Sequence, residues 1–348
     1  MLAGLADGDA TSHAALAMRD ALRALGFASD LFALPESVDP SIRDQCINAR
    51  DYDATSHDVL IHHYGLWSDA TDLFTASRAQ KILLYHNVTP ATFFRGFSDR
   101  MVQLAEHSRT ALPALVAGCQ ALWAVSAYNA EELKSAGATD VHLFPLPFVK
   151  EPLDRPADPA LLARLRAPVQ TMLCVGRLAP NKCIEDLLEA FAWYHHSFNP
   201  YSRLLIVGSP RSAPKYFTYL RMLARDLHTP NICFEGFASP QGLIAYYELA
   251  DVLVNVSQHE GYCLPLLEAM YKGVPVISRR AGGTPEAMGQ AGVQFEELTP
   301  KELAALMHLT LTNASLRETI LTSQQQRVDE ALSRDLKTEL HALLAHGI

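Results

Sequence analysis

Short apolar runs alternate with amphipathic segments along the whole chain, and this alternation constrains its fold more than any other feature. In the first half the runs are Ser29 to Leu34, Asp58 to His63, Lys81 to His86, Ala121 to Val125 and Asp140 to Pro145. In the second they are Thr171 to Val175, Arg203 to Val207, Asn231 to Phe234, Asp251 to Val256, Val274 to Ser278 and Val293 to Phe295. Runs this short and this apolar read as strands buried on both faces, which requires parallel sheets with helices on either side. Between Phe148 and Pro168 the chain turns rich in Pro, Asp and Arg, with Pro152, Pro156, Pro159 and Pro168 as punctuation, and the domain boundary is placed there. The expectation is α/β: two Rossmann-like doubly wound domains over residues 1–150 and 169–330, with a helix over residues 331–348 returning to the first domain. A length of 348 residues suits two such domains.

One feature departs from a complete doubly wound domain. The chain opens on a loop, Leu5 to Gly8, and a helix from about Thr11 to Leu25, with no strand ahead of them. The first strand of such a sheet is central, so its absence leaves an expected gap in the core.

Composition narrows the function. Hydrophobic residues make up 49% and charged residues 19%, which excludes a disordered chain. With 38 acidic against 29 basic residues the net charge is −9, so nucleic acid is not an expected partner. The six cysteines form no C-x-x-C pair and read as reduced thiols of a cytoplasmic protein. Met1 to Asp9 lacks the basic start of a signal peptide. The uncharged stretch Thr110 to Tyr128 divides at Pro113 and Gly118 into a helix end and a buried strand, so no membrane span is expected and membrane association is at most peripheral.

Two loops carry the chemistry. The segment from His259 to Glu268 follows the strand Asp251 to Val256 and contains Glu260, Gly261, Tyr262, Cys263 and Leu264 before Pro265 opens a helix. Glu260 then stands at the carboxyl end of a sheet strand, where open α/β sheets bind ligands. The amides from Cys263 to Leu266 offer a phosphate a positive helix start. Carboxylates suit vicinal hydroxyls and repel phosphate, so Glu260 and Glu268 should face sugars while the amides face phosphates. The second loop, Gly176 to Lys182, follows the strand Thr171 to Val175. There Arg177 can act as a fork and Lys182 as a point charge on a diphosphate.

These residues resemble the retaining nucleotide-sugar glycosyltransferases of the GT-B fold, specifically glycosyltransferase family 4. Glu260 and Glu268 coincide with that family's two-glutamate signature, Arg177 and Lys182 with its diphosphate-binding pair, and Gly282 to Glu286 with its glycine-glycine-x-proline-glutamate turn. Cys263 stands where many members have glycine. Tyr85 to Pro90 resembles a segment of polysaccharide-assembling members, which makes His86 the active-site histidine, across a cleft from Glu260. Gly8 and Asp9 resemble the loop that approaches the sugar phosphate and acceptor.

The resemblance implies transfer of a hexose from a nucleotide diphosphate sugar, a GDP-mannose or related donor, to a hydroxyl of a glycan or lipid-linked glycan, with retention and with no metal or other cofactor. A non-catalytic glycan-binding subunit, and an epimerase or phosphorylase of the same fold, are the alternatives. The D-x-D pairs at Asp7 to Asp9 and Asp51 to Asp53 lack a nucleotide-binding strand before them, and His62-His63 and His195-His196 lack matched acidic or cysteine partners, so no metal site is expected. No G-x-G-x-x-G follows a strand, which argues against a nicotinamide cofactor.

Overall fold

A computed structural model describes residues 1–7 and 9–347. The chain forms two compact units: Met1–Ala91, Val102–Val149 and Ala331–Ile348 make the first, Thr92–Met101 and Lys150–Glu330 the second. Among the described residues no helix is long and apolar enough to cross a membrane.

In the first unit, β1 (Phe32–Ala33) pairs with β2 (Ile47–Asn48), and β3 (Val59–Tyr64), β4 (Gln80–Tyr85), β5 (Ala121–Ala124) and β6 (His142–Leu143) form a parallel sheet in that order. The expected gap does not exist. Met1 and Leu2 bridge the two sheets: the Met1 amino group donates to Ile61 O at 2.6 Å, His63 N–H to Met1 O at 3.0 Å, and Leu2 N–H to Phe32 O at 2.9 Å. Leu2 and Leu5 pair singly with Ala33 and Val38, and both are buried. The central slot is thus filled by pairings too short to leave an alternating pattern in the sequence. Helix α1 (Ala10–Ala24) follows, then α2 (Asp69–Ala76), α3 (Asp99–Ala117) and α4 (Ala127–Ser135). Ser126 caps α4, and Gly137, at φ +105°, ends it as the sequence suggests.

The second unit has one six-stranded parallel sheet in the order β12-β11-β10-β7-β8-β9. Its strands are β7 (Gln170–Val175), β8 (Ser202–Val207), β9 (Ile232–Gly236), β10 (Val252–Asn255), β11 (Val276–Arg279) and β12 (Val293–Phe295). Every residue of β8 is buried, as a strand covered by helices on both faces requires. Its Leu204 and Ile206 pack with Met172, Val252 and Val254 of neighbouring strands against Leu187, Leu188 and Phe191 of α6 (Ile184–Ser197). The strand order reverses between β7 and β10, which makes their carboxyl ends a topological switch point.

The Pro-rich connection is not an open linker. Asp158 accepts from the N–H groups of Ala160 and Leu161, and Pro159 begins the helix α5 (Pro159–Leu165), which packs on α8 (Pro240–Leu249). The remaining helices are α7 (Pro214–Asp226), α9 (Leu264–Tyr271), α10 (Thr284–Met288), α11 (Pro300–Thr312), α12 (Ala314–Leu332) and α13 (Leu336–Gly347). Buried Gln324 of α12 serves β11 with its carboxamide, accepting from Val276 N–H at 2.8 Å and donating to Val274 O at 2.9 Å. α13 packs on α1 within the first unit, with Leu340 fully buried.

Candidate active site

The loops after β7 and β10 are stitched together before their charged side chains meet. Pro180–Lys182 form a 3-10 turn; Gln258 N–H donates to Asn181 O at 2.9 Å, and the Asn181 carboxamide donates to His259 O at 2.9 Å. This brings the Lys182 ammonium onto the Glu260 carboxylate, to which it donates a short hydrogen bond. Their side chains are only 16% and 10% exposed. Burial opposes both charges, yet each partner overrides it: the Glu260 carboxyl is held below the ordinary carboxylate range and the Lys182 ammonium above the ordinary lysine value. Arg177 is exposed at the start of the same loop, close enough to help depress Glu260.

The glycine turn supports Glu260 from below. Gly283 N–H donates to Glu260 O at 2.9 Å, and a Cβ on Gly282, at φ +56°, would stand 2.3 Å from that oxygen. Only a glycine backbone approaches this closely. Cys263, the N-cap of α9, adopts the left-handed conformation at φ +79° and ψ +63°, the conformation that glycine takes without strain. Pro265 has no N–H and Leu266 N–H donates to Cys263 O at 3.1 Å, so the anion-binding amides expected from Cys263 to Leu266 narrow to those of Cys263 and Leu264. Tyr262 is buried, with its hydroxyl 3.4 Å from the Arg327 guanidinium of α12.

Glu268 lies one turn into α9. Its carboxylate accepts from the Tyr247 hydroxyl of α8 at 2.7 Å, a partner that no motif in the sequence signals.

In the first unit, His86 follows β4, and its N–H donates to Tyr64 O at 2.8 Å. Its Nε2 lies 3.0 Å from Nδ1 of His63, and the rings stack at a centroid distance of 5.1 Å. Burial pushes the His86 imidazole down to about 4, and burial and His86 hold His63 well below its ordinary value. Asn87, at φ +90°, donates to Asn129 Oδ1 at 2.8 Å and to Glu132 at 2.7 Å; Glu132 also accepts from Tyr85 at 2.9 Å and Arg109 at 2.7 Å. This buried network fixes the loop that carries His86. Sequence reasoning picked out His86 and missed His63, Asn129, Glu132 and Arg109.

Other expected residues have structural work. Asp9 caps α1, accepting from Ser12 N–H at 2.8 Å and Ser12 Oγ at 2.7 Å, so its carboxylate is committed to the helix. Gly8 lies outside the described residues. His62 is buried between Met1 O at 3.2 Å and Thr71 Oγ1 at 3.1 Å, while His195 and His196 meet the hydroxyls of Ser202 and Thr229. Among the described residues no group of three or more His, Cys, Asp or Glu is arranged to hold a metal ion.

Residues 164–327 match the family model of glycosyl transferases group 1. Over 178 residues the chain is 28% identical to the serotype-specific mannosyltransferase WbdA of Escherichia coli. Over 196 residues it is 30% identical to the GDP-mannose-dependent alpha-(1-6)-phosphatidylinositol monomannoside mannosyltransferase of Mycobacterium tuberculosis. These matches take in 51% and 52% of this chain but only 19% and 49% of the two relatives. In fold the chain is similar to sucrose-phosphate synthase from Thermosynechococcus elongatus, with a TM-score of 0.74 at 18% identity over 98% of this chain and 94% of that one. The two parallel α/β units share the fold of the GT-B structures they resemble, and the residues that match the glycosyl transferases group 1 model include Arg177, Lys182, Glu260 and Glu268.

Proposed function

We propose that the chain is a retaining, metal-independent hexosyltransferase that takes its sugar from a nucleotide diphosphate donor and passes it to a hydroxyl of a glycan or lipid-linked glycan. The observation that carries this reading is the buried Lys182–Glu260 pair at the switch point, flanked by Arg177 and by the Cys263–Leu264 start of α9. As the nucleoside diphosphate departs, negative charge develops on its phosphate oxygens. Arg177, Lys182 and the two amides are the groups that offset it, and burial strengthens the field of Lys182. Glu260, already bound to Lys182, orients the donor sugar through hydroxyl hydrogen bonds, and Glu268 takes the ribose diol. No protein nucleophile is required when the leaving phosphate accepts the acceptor's proton. His86 binds a carbohydrate hydroxyl in the first unit, held neutral by its burial.

GDP-mannose is the proposed donor, supported by the mannosyltransferases among the relatives, and polysaccharide or O-antigen assembly in the cytoplasm is the proposed setting. Thermal unfolding with GDP-, UDP-, ADP- and dTDP-sugars tests the reading. A donor at a hundred times its Kd stabilises by about 2.7 kcal/mol. GDP-mannose should raise Tm most, and Arg177→Ala should abolish the shift and the transfer of labelled mannose. No shift with any nucleotide sugar, or normal turnover in Arg177→Ala, would overturn it.

A further inference from the structure

We infer that His63 is a positioning residue for His86: the two imidazoles share one hydrogen across their Nδ1–Nε2 contact, and His63 thereby sets which nitrogen of His86 donates to, or accepts from, a carbohydrate hydroxyl. The inference rests on the reading of His86 as a hydroxyl-binding residue and goes beyond it.

Sheet register creates the contact. His63 on β3 pairs with Leu84 on β4, and His86 lies two residues further along, on the same face as Leu84. The rings are therefore diagonal neighbours, and their planes lie within 24° of each other. At 3.0 Å the two facing nitrogens have room for a single hydrogen. If His86 Nε2 carries it, His86 Nδ1 is an acceptor; if His63 Nδ1 carries it, His86 Nδ1 is a donor. The tautomers of the two rings are coupled, and a doubly charged pair is excluded because two N–H groups would face each other. The titratable groups that act on the pair, His62 and the Met1 amino group, also disfavour added positive charge. The Asn87–Glu132 network fixes the backbone after His86, and His63 is the group that fixes its ring.

The test compares two substitutions in the full chain. His63→Phe keeps a ring to stack on His86 and removes Nδ1; His63→Asn removes the ring and restores a polar group at the Nδ1 position. His63→Phe should lower kcat at least about tenfold with the KM for the nucleotide sugar nearly unchanged, and His63→Asn should keep kcat within about threefold of the parent. The opposite ranking, or equal losses, would overturn the inference, because ring packing would then be what matters. A second readout does not depend on activity. Proton–nitrogen spectra of the His86 ring should report a hydrogen-bonded Nε2 in the parent and in His63→Asn, and loss of that bond in His63→Phe; an unchanged His86 Nε2 signal in His63→Phe would also sink it. If His86→Ala kept full turnover, the role given to His86 would fail, while the ring spectra would still decide whether the pair is coupled.

Discussion

Glu260 and Lys182 each carry a charge that neither could hold alone at its depth, so the two substitutions should fail in the same way. Lys182→Ala leaves a buried carboxylate unpaired and Glu260→Ala a buried ammonium, and each is expected to cost about 3–5 kcal/mol in urea unfolding. Lys182→Met combined with Glu260→Gln removes both charges and should recover much of that loss without recovering transfer. If the single variants unfolded like the parent, the pair would be solvated and its catalytic reading would lose its basis. Gly282→Ala acts on the same residue through the backbone. Its Cβ would meet Glu260 O at 2.3 Å, so a loss of about 1–3 kcal/mol is expected, together with the loss of donor-induced stabilisation. Cys263 shows the reverse situation. At φ +79° a non-glycine residue carries roughly 1–2 kcal/mol of strain that a glycine would not. The added chain entropy of glycine offsets about 0.5–1 kcal/mol of that relief, so Cys263→Gly should leave Tm close to the parent's.

The elements divide into those whose cause is local and those whose cause is not. β8 was readable to within one residue, because a parallel strand buried on both faces reads as an apolar run, and β12 to the residue, although its Gln294 interrupts the run and only Phe295 is buried. α5 was not, because Pro159 reads as a break until Asp158 is recognised as its cap. β2 and the Met1–Leu2 bridges hold too few residues to carry a period. The site follows the same division. Arg177, Lys182, Glu260 and Glu268 are legible because each stands next to the end of a strand or start of a helix. Their partners are set by tertiary packing: Lys182 meets Glu260 across a separation of 78 residues where the loops after two paired strands adjoin, and Tyr247 of α8 meets Glu268 of α9 across 21. Tyr247→Phe isolates one such partner. It removes the hydrogen bond that aims Glu268, so it should cost about 1 kcal/mol of stability and weaken nucleotide binding, checked by calorimetric titration, while leaving Lys182–Glu260 intact.

The Lys182–Glu260 pair also gives the whole molecule a pH signature. The Glu260 pKa is depressed from 4.5, so its contribution is present above that value and is lost as pH falls through the folded one. The Lys182 pKa is raised from 10.5, so its contribution is complete below that value and is lost as pH rises through the folded one. The stability difference between the parent and the doubly neutral variant should be flat from about pH 5 to pH 10 and shrink at both ends. A difference that varied across neutral pH would contradict the pairing. At the same scale, the first unit is assembled from three separate stretches of chain, and the last of them supplies Leu340 and a guanidinium, Arg334, that donates to Pro145 O and lies 4.8 Å from the Phe144 ring. During synthesis, the stretches of the first unit that precede residue 150 must wait, with apolar surface uncovered, until the second unit and then residue 340 have emerged, so a nascent chain halted after residue 149 has left the ribosome should be captured by chaperones and sensitive to protease.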